Sequence, residues 1–251
     1  MKELPINVKT TVVCGDWHQN INYIEPLIEH LALYHTSDII HVGDVGFMGQ
    51  GLKGYINYLD GLLKQHKLNL YFIEGNHEDF DWLSTLETDS LGLGVVTERI
   101  KHIPRLSQYK IGTQTYTFIG GGVSVDQDRR RQGIDWWPAE EISYEQLKQA
   151  FTLEPTDILI SHDGPTSAQL YLPHSHYFDP DLIYKSDQHR QRLEEIRQHL
   201  QPKYIVFGHY HVGQSRTINI DNQEVTYYAL DRDGYELIPN IQYIELKTLY
   251  Q

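Results

Sequence analysis

The sequence predicts an α/β fold with a largely parallel sheet and helices on its faces, and three observations lead there. Up to about residue 75, short β-favouring runs alternate with helical patterns in the order strand, helix, strand, helix, strand. That order calls for crossover connections and parallel pairing. Successive strand-like runs then stop at a glycine or a small polar residue and hand over to carboxylate, amide or imidazole side chains. In open α/β sheets the chemistry is kept at such strand ends. Finally, Ser215 to Ile220, Val225 to Leu230, Gly234 to Ile238 and Gln242 to Leu246 alternate like an antiparallel meander.

Taken in order, Val8 to Cys14 is a β-branched run ending at Gly15, followed by Asp16-Trp17-His18. Alternate residues of an extended segment point the same way, so Asp16 and His18 are expected to grip one ion from one side. Asn20 opens a helix with Ile24, Leu27, Ile28 and Leu31 on one face. Ile39 to Gly43 is the next strand and delivers Asp44 into a glycine-punctuated loop, Val45 to Gly51. A helical pattern covers Leu52 to His66, and strand Leu70 to Ile73 leads into Glu74-Gly75-Asn76-His77-Glu78. Tyr116 to Ile119 runs as a strand into three glycines and the loop from Gly120 to Pro138, which carries Arg129-Arg130-Arg131 and Trp136-Trp137. Ser143 with Gln146 three residues on is a capping-box start for a helix reaching about Phe151. Strand Asp157 to Ile160 ends at Ser161-His162-Asp163, His174 to Lys185 reads as irregular, and a helix from Asp187 to Leu200 turns Leu193, Ile196 and Leu200 inward. Tyr204 to Phe207 is a strand that delivers Gly208-His209-Tyr210-His211.

The chain has 251 residues, enough for one large core, and no Ser/Gly tract, Pro-rich run, charge block or repeat marks a linker. We read residues 1–251 as one domain. No basic leader precedes an apolar stretch and no run reaches membrane-spanning length, so a cytoplasmic protein without a membrane partner is expected. Cys14 is the single cysteine, which excludes an internal disulfide, and its apolar surroundings predict a buried thiol. A net charge of -13 leaves no footprint for extensive binding to duplex nucleic acid.

Among 14 histidines, several stand beside Asp, Asn or Gly at strand ends. Collected there are Asp16, His18, Asp44, Asn76, His77, His162, His209 and His211. Imidazoles, carboxylates and one amide without a thiolate suit Mn, Fe, Zn, Ni or Co and suit copper(I) or iron–sulfur clusters poorly. The ligands are too many for one tetrahedral zinc, and two divalent ions bridged by a carboxylate are the economical arrangement. Such a pair, roughly 3.5–4 Å apart, clamps a phosphate ester and ionises the attacking water.

Asp16-x-His18, Gly43-Asp44, Gly75-Asn76-His77-Glu78, His162 and Gly208-His209-Tyr210-His211 together resemble the calcineurin-like metallophosphoesterase family, in the family's order and across most of the chain. More narrowly, the Gly120 to Pro138 loop and Ser161-His162-Asp163 are similar to a bacterial and phage-borne branch of small phosphoesterases. The resemblance implies a β-sandwich of mixed sheets flanked by helices, with two metals at the strand ends. It implies one metal on Asp16, His18 and His211, a second on Asn76, His162 and His209, and Asp44 bridging both. His77 would then face the scissile bond and stabilise or protonate the leaving oxygen. Protein phosphatases of this superfamily carry Asp-Arg-Gly after the bridging aspartate and an arginine before Gly-Asn-His. Here Val45-Gly46-Phe47 follows Asp44 and Glu74 precedes Gly75, which removes that arginine clamp and disfavours a phosphoprotein substrate.

Around this set, Asp163 is the expected carboxylate partner of a metal-binding imidazole, and His41 and Glu74 are read as satisfied structural groups. Arg129, Arg130 and Arg131 are expected to bind phosphate in an otherwise acidic chain. Trp136 and Trp137 are expected to pack their loop onto the body, and His174 and His176 to lie on the surface. The resulting reading is a dinuclear phosphoesterase, manganese favoured, using a metal-bridging hydroxide. A phosphodiesterase acting on a nucleotide or other small ester is favoured. The alternatives are a serine/threonine-type protein phosphatase and a metal-bound interaction scaffold without catalysis.

Overall fold

The computed structural model describes residues 1–170, 177–220, 222–234 and 243–250. Strand β1 (Lys2–Glu3) precedes β2 (Thr11–Cys14), helix α1 (Ile21–Leu33), β3 (Asp38–His41), α2 (Leu52–His66), β4 (Asn69–Phe72) and the short α3 (Phe80–Leu83). The small strands β5 (Gly94–Val95) and β6 (Ile100–His102) follow, then the hairpin of β7 (Ser107–Ile111) and β8 (Gln114–Ile119). Next come α4 (Tyr144–Ala150), β9 (Ile158–Ser161), α5 (Pro180–Leu200), β10 (Tyr204–Phe207), β11 (Gln214–Ile220), β12 (Gln223–Ala229) and β13 (Tyr243–Glu245).

These strands form two mixed sheets, ordered β1-β7-β8-β9-β10-β12-β11 and β13-β2-β3-β4-β6-β5. The centre of each is parallel, β2-β3-β4-β6 in one and β8-β9-β10-β12 in the other. The two-residue period of a strand distributes the core. Val13, Ile40 and Tyr71 meet Tyr116, Phe118, Ile160 and Val206 between the sheets. Their neighbours Val12, Cys14, Ile39, Leu70 and Phe72 face the other way, against Ile24, Leu27 and Ile28 of α1 and Leu59 and Leu63 of α2. On the outside of the other sheet, Leu159, Ile205 and Phe207 pack on Leu193, Ile196 and Leu200 of α5 and Leu147 of α4. The architecture is therefore a β-sandwich flanked by helices, as expected, and Cys14 is buried.

The capping box forms as read, with Gln146 N donating to Ser143 Oγ at 3.1 Å and Ser143 N to Gln146 Oε1 at 2.9 Å. Other expectations need correction. Helix α5 starts at Pro180, capped by the Asp179 carboxylate, so Pro180 to Lys185 is helical and not irregular. Proline at a first helical position is preorganised for a helix start. Among the described residues the expected antiparallel meander is only β11 with β12. Strand β12 joins β10 in parallel, and β13 crosses to the other sheet to pair antiparallel with β2. Alternation predicts a half-buried strand and is silent on its neighbour. The expected strand from Gly234 to Ile238 falls, past Gly234, outside the described residues, as do His174 and His176. No described helix is long and apolar enough to cross a membrane.

Candidate metal centre

The parallel strands of both sheets end on one side of the sandwich, and the loops leaving β2, β3, β4, β9 and β10 carry Asp16 and His18, Asp44, Asn76 and His77, His162, and His209 and His211. The backbone there departs from extended geometry. Asp16, His18, Asp44, His209 and His211 take φ of 25°, 45°, 59°, 70° and 55°. This corrects the expectation that Asp16 and His18 share a side because they are extended. They converge through a left-handed turn, held where Trp17 N and His18 N both donate to Asp44 O at 2.9 Å. Each such residue costs on the order of 1–3 kcal/mol, strain that folds retain at functional sites. Glycine at 75 and 208 permits the closeness, because a Cβ on Gly75 would strike the Asp44 carboxylate and one on Gly208 the Asp16 carboxylate.

Two donor groups result, and they share Asp44. Donor atoms of Asp16, His18, Asp44 and His211 lie within 4.8 Å of one another, as do those of Asp44, His162 and His209. The two oxygens of Asp44 divide between the groups, Oδ2 standing 3.3 Å from His18 Nε2 and Oδ1 3.4 Å from His162 Nε2. Asn76 Oδ1 completes the second group, 3.0 Å from His162 Nε2 and 2.9 Å from His209 Nδ1. In the first, His211 Nε2 is 3.6 Å from Asp16 Oδ2.

The donor atoms fit a cation better than they fit one another. Asp16 Oδ1 and His18 Nε2 are buried without a hydrogen-bond partner among the described residues, and such orphans are costly unless something else binds them. Tautomers are set from behind. His18 Nδ1 lies 2.9 Å from the Asp233 carboxylate and His162 Nδ1 2.9 Å from Val42 O. The opposite nitrogen of each ring is thus the one turned toward the centre. Burial opposes protonation of His18, but the Asp233 and Asp44 carboxylates outweigh it and push the ring up to about 10. His162 likewise rises to about 10 against burial because of Asp44 and Asp16. Seating divalent ions would displace those protons.

His77 stands apart from both groups, Nε2 4.0 Å from Asp44 Oδ2, with its backbone N donating to Asp44 Oδ1 at 2.8 Å. The Arg130 guanidinium covers its ring, Nη2 reaching Nε2 at 3.0 Å, while Asp126 holds Arg130 from the other side at 2.8 Å. A protonated imidazole has no lone pair to accept from a guanidinium, so His77 is neutral here. Burial, with Arg130 and His18 adding, brings it down to about 4 against the pull of Asp44.

The three arginines take different partners: Arg130 turns to His77, Arg131 pairs with Asp135 at 3.2 Å, and Arg129 is exposed. Asp163 is a second correction. Its carboxylate bonds His189 Nδ1 at 2.7 Å and accepts from the Tyr210 hydroxyl and Gly164 N, none of them a candidate ligand atom. Adjacency in sequence to His162 could not reveal that the side chain points to α5. His41, expected to be satisfied, is buried with both ring nitrogens unpartnered among the described residues and Trp17 edge-on to its ring at 4.5 Å. Glu74 is structural as read, paired with His102 at 2.8 Å and Arg105 at 2.9 Å. Trp137 is buried and donates to Asp81 at 3.0 Å, packing the loop down.

Three contributors had no role assigned from sequence. Glu78 is fully buried, and its carboxylate accepts from Asp44 N at 3.0 Å, Gly46 N at 2.8 Å and Gly75 N, lacing the β3 and β4 loops together. Asp233, 215 residues from His18, also takes Asn20 Nδ2 at 2.6 Å. Ser124 accepts from Asn76 Nδ2 at 3.1 Å and donates to buried Glu140 at 2.6 Å. That chain turns Asn76 Oδ1 toward His162 and His209. Ser124→Ala is therefore expected to weaken binding of one of two metal equivalents by roughly 10–100-fold. Titration with Mn2+ followed by calorimetry reads this directly, and two unchanged binding steps would show that Ser124 does not orient Asn76.

Two stacked sheets with helices outside thus carry, at their strand ends, a histidine–aspartate cluster able to hold divalent ions. Comparison with known proteins gives the family. Residues 9–213 match the calcineurin-like phosphoesterases, and the chain belongs to that family. It is 25% identical over 191 residues to a lariat debranching enzyme of Schizosaccharomyces pombe, over 69% of this chain and 39% of that protein. The chain thus spans well under half the length of that curated relative. Among solved structures, TT1561 of Thermus thermophilus superposes with a TM-score of 0.56 at 10% identity, covering 97% of this chain and 96% of that one. A dimetal phosphatase from Danio rerio gives 0.50 at 9% identity, covering 89% and 88%. At these identities the two structures speak for the fold alone.

Proposed function

We propose that the protein is a dinuclear phosphodiesterase whose substrate is a nucleotide or other small ester. Asp16, His18, His211 and Asp44 would hold one ion, and Asn76, His162, His209 and Asp44 the other. The observation that carries the reading is the division of the Asp44 carboxylate between two donor groups, with a buried, unpartnered donor atom on each of two neighbouring ligands. Divalent ions bound there supply positive charge to the ester and lower the pKa of water; manganese is favoured among Mn, Fe, Zn, Ni and Co.

The chain's own residues do the rest. Arg130 turns from His77 to the anionic ester oxygens, which compete for the guanidinium more strongly than a neutral ring does. Freed of Arg130 and facing the Asp44 carboxylate, His77 can take up a proton and deliver it to the departing oxygen. Glu74 is already tied to Arg105 and His102, which supports a small ester over a phosphoprotein. We further read residues 1–251 as one catalytic domain working in the cytoplasm.

The test is metal analysis of the purified protein, then hydrolysis of nitrophenyl mono- and diesters with Mn2+, Ni2+ or Zn2+ restored. Two equivalents and faster diester cleavage are expected, and a clear monoester preference would overturn the diesterase reading. Within the arginine triplet, Arg130→Ala should raise KM for a diester at least about tenfold, the size of a lost charge-assisted hydrogen bond. Arg129→Ala should leave KM unchanged. Equal effects of the two would return the site to a diffuse basic patch.

A further inference from the structure

A cavity of about 600 Å3 opens beside His18 and His77, between the 46–50 loop and the 131–135 turn. That volume suits a small-molecule fragment rather than a bare phosphate. Both walls are prebuilt. The Gln19 amide donates to Gly46 O and, at 2.9 Å, to Met48 O, which pins the first wall. In the second, Ile134 N and Asp135 N donate to Arg131 O at 3.1 and 3.0 Å, and the Trp137–Asp81 bond at 3.0 Å fastens its base.

Each wall presents one apolar side chain to the cavity, Met48 and Ile134. Neither joins the three apolar cores of the described residues, and Ile134 is 48% exposed. One exposed apolar residue is ordinary. Half-buried Met48 in one wall and exposed Ile134 in the other, lining a cavity that reaches His77, offer two apolar contacts between which a flat ring would be desolvated. Methionine and isoleucine supply that contact without directional demands. Around them, exposed Gln50 offers a donor and an acceptor to a ring edge. Arg131 and Asp135 neutralise each other across the turn. Away from His18 and His77 the lining then carries no net charge, which disfavours a second phosphate there, and the amide and charged groups disfavour an acyl chain.

We infer that this cavity is the subsite for the leaving group and that it takes a nucleoside, the base lying between Met48 and Ile134. The inference rests on the reading of His77 as the residue at the departing oxygen. In the step, the P–O bond to the nucleoside oxygen breaks as a P–O bond from water forms, and the nucleoside leaves with a proton.

Adenosine 5′-(methyl phosphate) distinguishes the two ends of a diester. With the Mn2+-loaded protein, adenosine and methyl phosphate are the expected products, whereas AMP and methanol would overturn the assignment. Ile134→Ala and Met48→Ala should each raise KM for this diester roughly tenfold, the scale for removing methylene contacts from an apolar pocket. They should weaken adenosine binding, measured by equilibrium dialysis, by a similar factor while inorganic phosphate binding stays unchanged. Adenosine binding equal in the variants and the unsubstituted protein would also overturn it. If no ester is cleaved after metal loading, the proposed activity fails, and the dialysis experiment still decides the subsite.

Discussion

Asp44→Asn is expected to strip both metals together and to reduce ester hydrolysis at least about a thousandfold. One carboxylate faces both donor groups, Oδ2 3.3 Å from His18 and Oδ1 3.4 Å from His162, and no other described side chain is shared between them. Two divalent cations held close repel strongly, and the negative charge between them offsets part of that repulsion. At an effective dielectric of about 20, a unit charge pair at 4 Å is worth about 4 kcal/mol, or roughly three decades in rate or affinity. An amide of the same shape keeps the oxygen and loses the charge. The fold should survive, because Glu78 still binds the backbone at 44, 46 and 75. Metal content by elemental mass spectrometry and a melting curve separate the two effects. A variant that keeps two tightly bound metals and full turnover would remove Asp44 from the bridging position.

His77→Ala is expected to keep both metals and lose about 10²–10⁴-fold in activity toward alkyl esters, the range for general acid catalysis. Toward nitrophenyl esters the loss should be much smaller, since nitrophenolate departs without a proton. The structure adds a condition. Arg130 occupies the ring at 3.0 Å, so His77 can serve as an acid only after the guanidinium has moved to the ester. Substituting Arg130 therefore should act mainly on KM, and substituting His77 mainly on kcat with alkyl esters. Equal losses on both ester classes would make His77 an electrostatic group, and loss of metal would make it a ligand.

Local rules carried far. Helix α2 spans Leu52–His66 and β10 Tyr204–Phe207, as their periodicity and boundaries predicted, because apolar spacing and capping act within a turn or two. The residues Asp16, His18, Asp44, Asn76, His162, His209 and His211 were legible as a group because each follows a buried run at a strand end, where side chains have nowhere to go but outward. Contacts that span the chain were not legible. Nothing near His18 announces Asp233, the turn of Asp163 toward His189 depends on where α5 packs, and β13 pairs with β2 only once the sandwich has closed. The left-handed φ of Asp16 and His18 likewise goes with a turn whose Trp17 N and His18 N are tied to Asp44 O, not with their own preferences.

By itself, then, the sequence determined which side chains leave the strand ends and the chemistry those side chains can do, since both follow from residue type and short-range spacing. Only the tertiary structure decided how Asp44 divides its two oxygens, which nitrogen of His18 and His162 faces the centre, and which arginine of the triplet meets His77. Those outcomes depend on distances of about 3 Å between segments far apart in the chain, and hydrogen-bond geometry at that range is set by packing, which no local pattern encodes.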